Sequence, residues 1–427
     1  MTSSAGSGEV RRALAWFDMR LKSPGRLPLG IVALASASLF AQQLQETPPI
    51  AVRSEEYQRT LNALDRYRAL AEQDDGALLP ETERPVKPGD RYQGVPRLIH
   101  LLTLLGDLPA GAVSGDDDSD LYRGALVDAV QRFQHRHGLE PTGKIDKITL
   151  AQLNTPLAFR VRQLELALER WRRDPYDPSR PAIVLNLPEF RLRAYREGQL
   201  ELEMKIVVGQ ASEHPTPLLS SELEAVVFRP YWNVPLRIQR DELLPTIVKD
   251  PSYPAAHDFE VVTGQGAVVQ GRLSSARIEE LRTGKLRLRQ VPGPQNALGL
   301  AKFVFPNDYH IYLHDTSVHS AFSRSRRDLS HGCIRVERAE DLAEWVLRDQ
   351  PGWSRARVAQ AMRGSESTEV KLAHPIQVVT MYATAVVLEN GEVHFFEDIY
   401  GEDEALEKQL VASTPSPTST RDRAKDR

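Results

Sequence analysis

Apolar residues recur at helical spacing in the first third of the chain. From Ser54 to Ala71, Tyr57, Leu61, Leu64, Tyr67 and Leu70 fall on one helical face, and the Pro-rich stretch Pro80 to Pro88 ends that segment. Three shorter helices follow between Val95 and Asn154. The first carries Val95, Leu98, Leu101, Leu102 and Leu105 and stops at Gly106, a residue suited to a left-handed cap. The second carries Leu126, Val130 and Phe133 and stops at Gly138; the turn Pro141-Thr142-Gly143 leads to a third, capped by Asp146 and bearing Ile148 and Leu153. His135 and His137, two apart on the second helix, share no face for chelation and are expected at the surface.

From Pro181 the period changes from 3.6 to 2. The run AIVLNLPEFRLRAYREGQLELEMKIVVG predicts strands joined by a Glu197-Gly198 turn, and short apolar runs at Ala225–Phe228, Phe259–Val262, Ala267–Val269 and Ile311–Leu313 continue the pattern. Helix-like and polar pieces at 240–290 read as an insertion over a sheet. A helix with Leu342, Trp345, Val346 and Leu347 comes next, and after Pro375 a further hairpin turns at Asn390-Gly391. The expected class is an α+β multidomain chain. Its parts are an accessory helical scaffold at 46–94, a small three-helix module at 95–157, a linker helix at 158–180, a mostly β catalytic domain at 181–362, a C-terminal hairpin at 370–410 and a disordered tail at 411–427.

Composition narrows this. The 427 residues, 41% hydrophobic and 26% charged, suit two or three soluble domains and exclude collagen-like and polytopic membrane readings. A net charge of −4 supplies no basic field for nucleic acid, and the acidic run Asp116, Asp117, Asp118 and Asp120 reads as a solvated loop. Leu27 to Phe40 is an apolar stretch behind Arg20, Lys22 and Arg26, with Ala35 and Ala37 in a cleavage-like pattern. Residues 1–45 are therefore expected to be an export signal, with Met19 as an alternative start, or an N-terminal membrane anchor. Either route implies a cell-envelope location such as the periplasm.

The single cysteine, Cys333, excludes intrachain disulfides and multi-cysteine metal cages. It sits in YHIYLHDTSVHSAFSRSRRDLSHGCIRV, Tyr309 to Val336. His331 is two residues before the thiol, Gly332 adjoins it, and His314 ends an apolar strand upstream. A thiol acts as a nucleophile when a base raises its thiolate fraction, and a glycine beside it lets backbone amides approach a developing oxyanion. The competing readings are an inert buried thiol and a metal site built from His314, His319, His331 and Cys333, which lacks compact zinc spacing.

The segment YRGALVDAVQRFQHRHGLEPTGKIDKITLAQLN resembles the peptidoglycan-binding domain 1 family, with Thr142-Gly143 and Asp146 where that family usually has Asp-Gly and a second glycine. A histidine followed after fifteen residues by Ser-His-Gly-Cys-Ile-Arg resembles the L,D-transpeptidase (YkuD-like) catalytic domain. FRPYWNVP, ELLP, NALGLAKFVFPNDYHIYLHDT and YATAVVLENGEVHFFEDIY resemble its large murein branch. The resemblance implies Cys333 as nucleophile and His314 as proton acceptor and donor, with the Asp315 carbonyl orienting the imidazole and His331 and Gly332 shaping the oxyanion and acyl pocket. It also implies Arg327 and Arg335 as anchors for stem carboxylates, and Tyr312 and Trp232 as groove residues or, equally, core aromatics. The partners implied are peptidoglycan stem peptides and glycan, with no cofactor and no metal. The implied reaction is formation of 3→3 cross-links; water as acceptor would make a carboxypeptidase, and a silent scaffold is the non-enzymatic alternative.

Overall fold

A computed structural model of the chain describes residues 55–113, 120–173 and 177–413. The expected signal or anchor, most of the acidic run and the tail beyond 413 lie outside the described residues. No helix among those described is long and apolar enough to cross a membrane.

Two helices, α1 (Glu55–Gln73) and α5 (Leu157–Arg173), pack along each other. Tyr57, Leu64 and Tyr67 of α1 share a core with Leu164 and Leu168 of α5 and with Ala385, Val387, Val393 and Phe395 of the C-terminal hairpin. The accessory helix, the linker helix and the hairpin are thus one scaffold. The small module consists of α2 (Val95–Leu105), α3 (Ala125–Arg136) and α4 (Lys147–Leu153), whose apolar faces meet around Leu98, Leu102, Leu126, Val130 and Phe133. Gly106 ends α2 at φ 82°, and the Asp146 carboxylate caps α4 by accepting from Thr149 N at 2.8 Å.

Two expectations change here. Leu153 points inward as expected, but Ile148 faces out at 52% exposure and the inward face is completed by Thr149 and Leu150. His137 is buried: it stands four residues after Phe133, stacks on that ring at 3.8 Å and hydrogen-bonds Phe133 O through Nδ1 at 2.7 Å. His135 alone is at the surface.

The β domain is a ring. Strands β1 (Ala182–Asn186), β2 (Arg191–Arg196), β3 (Gln199–Gly209), β4 (Ser220–Phe228), β8 (Ala301–Val304), β9 (Leu313–His314), β10 (Asp328–Ser330), β11 (Ile334–Val336) and β12 (Thr368–Met381) form a nine-stranded sheet in the order β10-β3-β11-β9-β8-β4-β12-β1-β2. Because β2 also pairs with β3, eight of the strands close on themselves. Glu197 and Gly198 both take positive φ, 48° and 73°, which suits the primed turn of the β2–β3 hairpin. Inward residues such as Leu185, Ile206, Val226, Phe303, Leu313 and Ile334 share one core with the helix Ala339–Leu347.

Strand β12 lies between β1 and β4, so the expected domain end at 362 would cut the sheet. Pro375 does not separate the two regions: it has no N–H to give, and the ladder slips between Lys371 and Ile376 and then resumes. The hairpin proper is confined to β13 (Ala385–Val387) and β14 (Val393–Phe395). The expected tail begins inside a helix, Glu402–Ser413.

The insertion starts earlier than expected. β5 (Trp232–Asn233) pairs with β7 (Leu286–Gln290), which also pairs with β6 (Phe259–Thr263), over a separate core of Val234, Leu244, Ile247, Leu281 and Leu288. The strand expected at Ala267–Val269 shrinks to one bridge, Val268 to Val262. Gln239 is fully buried; its amide donates to Leu281 O and Leu286 O and accepts from Leu288 N at 2.7 Å. Gln239→Met keeps the volume but strands three backbone groups, so it should destabilise the insertion by about 2–4 kcal/mol. Faster amide exchange confined to β5–β7 would show this; unchanged exchange would refute it.

Candidate active site

Side chains of register partners share a face of a sheet, and alternate residues along a strand return to it. β9 runs parallel to β11 with Leu313 opposite Ile334 and His314 opposite Arg335, while β8 places Lys302 opposite His314. Ile334 N donates to Tyr312 O at 3.2 Å, which continues the ladder back to Tyr312 and Cys333. Leu313, Ile334 and Phe303 therefore enter the core, and Lys302, Tyr312, His314, Cys333 and Arg335 stand together on the outer face. The Lys302 ammonium lies 3.9 Å from the centre of the Tyr312 ring, and the Tyr312 and His314 rings are 5.7 Å apart.

The loop that carries the thiol is held from both sides. The Ser330 hydroxyl donates to Cys333 O at 2.5 Å and accepts from Gly332 N at 3.2 Å. The Thr216 hydroxyl donates to Gly332 O at 2.8 Å and accepts from Gly209 N at 2.9 Å. Tyr400 donates to Gly209 O at 2.6 Å, and its own N–H donates to the Tyr382 hydroxyl, which donates to Asp398. Gly332 has φ 104°, and a Cβ on Gly209 would stand 1.9 Å from His214 O and 3.0 Å from Gly332 Cα. Both glycines are required, one by conformation and one by space.

His314 is buried, and its Nδ1 meets Asp315 O at 2.5 Å. A carbonyl only accepts, so Nδ1 carries the proton and Nε2 keeps its lone pair. Burial, with the Arg335 and Lys302 charges, lowers the imidazole to about 3 against the opposing pull of the Asp315 hydrogen bond. Burial pushes the Cys333 thiol up, opposed by hydrogen bonds from Tyr312 and by the Lys302 and Arg335 charges. The resting pair is a neutral thiol and a neutral imidazole, not an ion pair. A neutral thiol beside a neutral imidazole can react by general-base transfer of the thiol proton, without prior ionisation.

Residues 180–371 match the family model described as "L,D-transpeptidase catalytic domain", and residues 91–153 match one described as "Putative peptidoglycan binding domain". The β domain is thus similar to that catalytic-domain family, and the helical module to the peptidoglycan-binding one. A curated Haemophilus influenzae protein named "Putative L,D-transpeptidase" is 36% identical over 225 residues, 52% of this chain and 45% of that protein, so the match spans less than half of the relative. Among solved structures, an L,D-transpeptidase from Mycobacterium smegmatis is similar at 13% identity over 47% of this chain and 58% of its own, with TM-score 0.24. One from Stackebrandtia nassauensis is similar at 11% identity over 71% and 96%, with TM-score 0.26.

Within the β domain, Arg327 is not where a substrate anchor must be. It is buried; its guanidinium donates to Ile206 O, Phe190 O, Arg324 O and Ser325 O and lies over the Phe190 ring. All of its donors serve loop and strand carbonyls. Trp232 packs in the insertion, 6.1 Å from the Phe259 ring, which is the core-aromatic alternative. The His331 imidazole turns away from the row to Glu242 of the insertion at 2.7 Å and lies 4.9 Å from the His214 ring. Gly332 N–H is engaged by Ser330, so an oxyanion would compete with that hydroxyl for it. Arg335 is free: its Nε has no partner among the described residues. Sequence reasoning missed Lys302, Thr216 and Tyr400. Lys302 alone had a local signal, a charge alternating with Ala301 and Phe303 in a strand-like run.

Arg327→Met should cost about 2–4 kcal/mol of stability, seen as a lower denaturation midpoint, by orphaning buried carbonyls; an unchanged midpoint would restore Arg327 as a candidate anchor. The His314 shift also has a sign. Its folded value lies below the unfolded one near 6.5, so the unfolded chain binds the extra proton, and stability falls from pH 6.5 toward pH 3 by up to about 1.4 kcal/mol per unit. Denaturant titrations across that range should show a shallower fall in His314→Gln, and parallel curves would contradict the burial of a neutral imidazole.

Proposed function

We propose that the chain is a peptidoglycan L,D-transpeptidase that acts through a Cys333 acyl-enzyme in the cell envelope. The observation that carries this reading is the outer row, where a half-buried thiol shares a sheet face with a histidine whose Nδ1 is tied to a backbone carbonyl. The donor is a tetrapeptide stem ending in meso-diaminopimelate and D-Ala. Cys333 Sγ attacks the carbonyl between them while His314 Nε2 takes the thiol proton. The imidazolium so formed keeps its Nδ1–H on Asp315 O, then protonates the departing D-Ala amine. A thioester remains.

The side-chain amine of a second stem attacks that thioester and gives its proton to His314, which passes it to the Cys333 sulfur as the S–C bond breaks. The products are a 3→3 cross-linked dimer and the free thiol. Arg335, with no protein partner for its Nε, is the anchor offered to a stem carboxylate. The helical module, joined in the same chain, supports glycan as the second contact. Stems and glycan lie outside the cytoplasmic membrane, which supports an exported, periplasmic location.

Purified full-length chain incubated with disaccharide-tetrapeptide should yield a dimer one D-Ala lighter than two monomers, resolved by mass spectrometry. Cys333→Ala should abolish it while leaving the fold intact, and His314→Ala should slow it by about 100-fold or more. Tripeptide monomer as sole product would replace the transferase reading with a carboxypeptidase. Full activity in Cys333→Ala would end both.

A further inference from the structure

The outer row holds a cation that the proposed reaction does not use. Lys302 lies opposite His314 on one side and opposite Val227 of β4 on the other; Val227 in turn lies opposite Glu369 of β12. The row thus reads Glu369, Val227, Lys302, His314, Arg335. Glu369 is two strands away from Lys302, about 9–10 Å at ordinary strand spacing. Among the described residues no carboxylate stands within ion-pair distance of Lys302 or Arg335, and Lys302's recorded contact is the face of Tyr312.

Two half-buried cations flanking a thiol without a counter-charge are unfavourable in an empty site, since each has lost water and gained no anion. Burial lowers Lys302 against the pull of Cys333 and Glu369, and it lowers Arg335 against the pull of Cys333 alone. The missing partner fits an anion that arrives with the substrate and lies next to the bond that Cys333 attacks.

We propose that Lys302 and Arg335 together form a subsite for the terminal carboxylate of the leaving residue of the donor stem. This rests on the proposed reaction and deepens it by naming what selects the donor. In a stem ending one residue beyond the scissile bond, the carboxylate carbon is three bonds from the attacked carbonyl, within about 4 Å. Lys302 and Arg335 are themselves two strands apart, one on each side of His314, so a carboxylate beside the attacked carbonyl would be met by their long side chains from opposite sides. A stem one residue longer puts a neutral amide there and carries its charge past the pair. Arg335 offers a planar fork and Lys302 a point charge braced on Tyr312.

The test is a binding measurement in which no bond breaks. Full-length Cys333→Ala chain is titrated calorimetrically with disaccharide-tetrapeptide carrying a free terminal carboxylate, and with the same compound as its terminal carboxamide. The carboxylate form should bind about 10-fold more tightly. Adding Lys302→Met should reduce that preference to below about 2-fold with the affinity for the carboxamide unchanged, and Lys302→Arg should retain it. Equal loss of both ligands in Lys302→Met would assign Lys302 a structural role and overturn the subsite. So would an undiminished preference in that variant, or no preference in Cys333→Ala. A wild-type chain that transfers no acyl group would overturn the transferase reading instead, and the two failures are separate measurements.

Discussion

The register of one short parallel pairing, β9 on β11, determines what this site can be. His314 opposite Arg335 and Leu313 opposite Ile334 put the imidazole, the thiol and a cation on the outer face and the apolar partners in the core. A slip of one residue would exchange the two sets, sending His314 and Arg335 inward and leaving Leu313 and Ile334 in water. Burial of Leu313 and Ile334, both fully covered, therefore fixes the site indirectly. The strands themselves are two and three residues long and hold little energy in their own hydrogen bonds. Their register is secured by neighbours: β8 on one side, β3 on the other, and the closure of the ring through β2.

The second constraint is close approach. Gly209 at the end of β3 and Gly332 beside the thiol come together without a Cβ between them, and Thr216 bonds both. Tyr400, from beyond the C-terminal hairpin, bonds Gly209 as well, so a segment that follows the hairpin braces the loop that carries the thiol. The hairpin in turn shares its core with α1. The scaffold that reads as peripheral along the sequence is in this way linked by packing and hydrogen bonds to the loop that carries Cys333.

Local signals were legible in the sequence and long-range ones were not. Gly106 and Asp146 announce helix ends because capping involves only neighbours within a turn, and Glu197-Gly198 announces a hairpin for the same reason. The neighbourhood of Cys333 was legible as a candidate site because the thiol, Gly332, His331 and His314 lie within twenty residues, but that spacing did not show that His331 turns away to Glu242. Arg327 was misjudged because its partners, Phe190 and Ile206, stand more than a hundred residues away and are backbone carbonyls, which leave no trace in composition. His137 was misjudged because a histidine stacked four residues after a phenylalanine looks, in sequence, like any exposed one. β12 was misplaced because Pro375 marks both a chain break and a tolerated slip in a ladder.

The lone thiol and its two cations bear on one another once an anion enters. Burial is the largest cause that keeps His314 from accepting a proton in the empty site, and the Arg335 and Lys302 charges add to it. A carboxylate placed between them cancels much of their field at the imidazole, so the basicity of Nε2 rises when a donor is bound and remains low when none is. The same cancellation withdraws the stabilisation the cations lend to a free Cys333 thiolate. Proton transfer and sulfur attack are then favoured together over prior ionisation. A cysteine held as a neutral thiol until a ligand arrives is also a poor target for oxidants, because the thiolate is the reactive form.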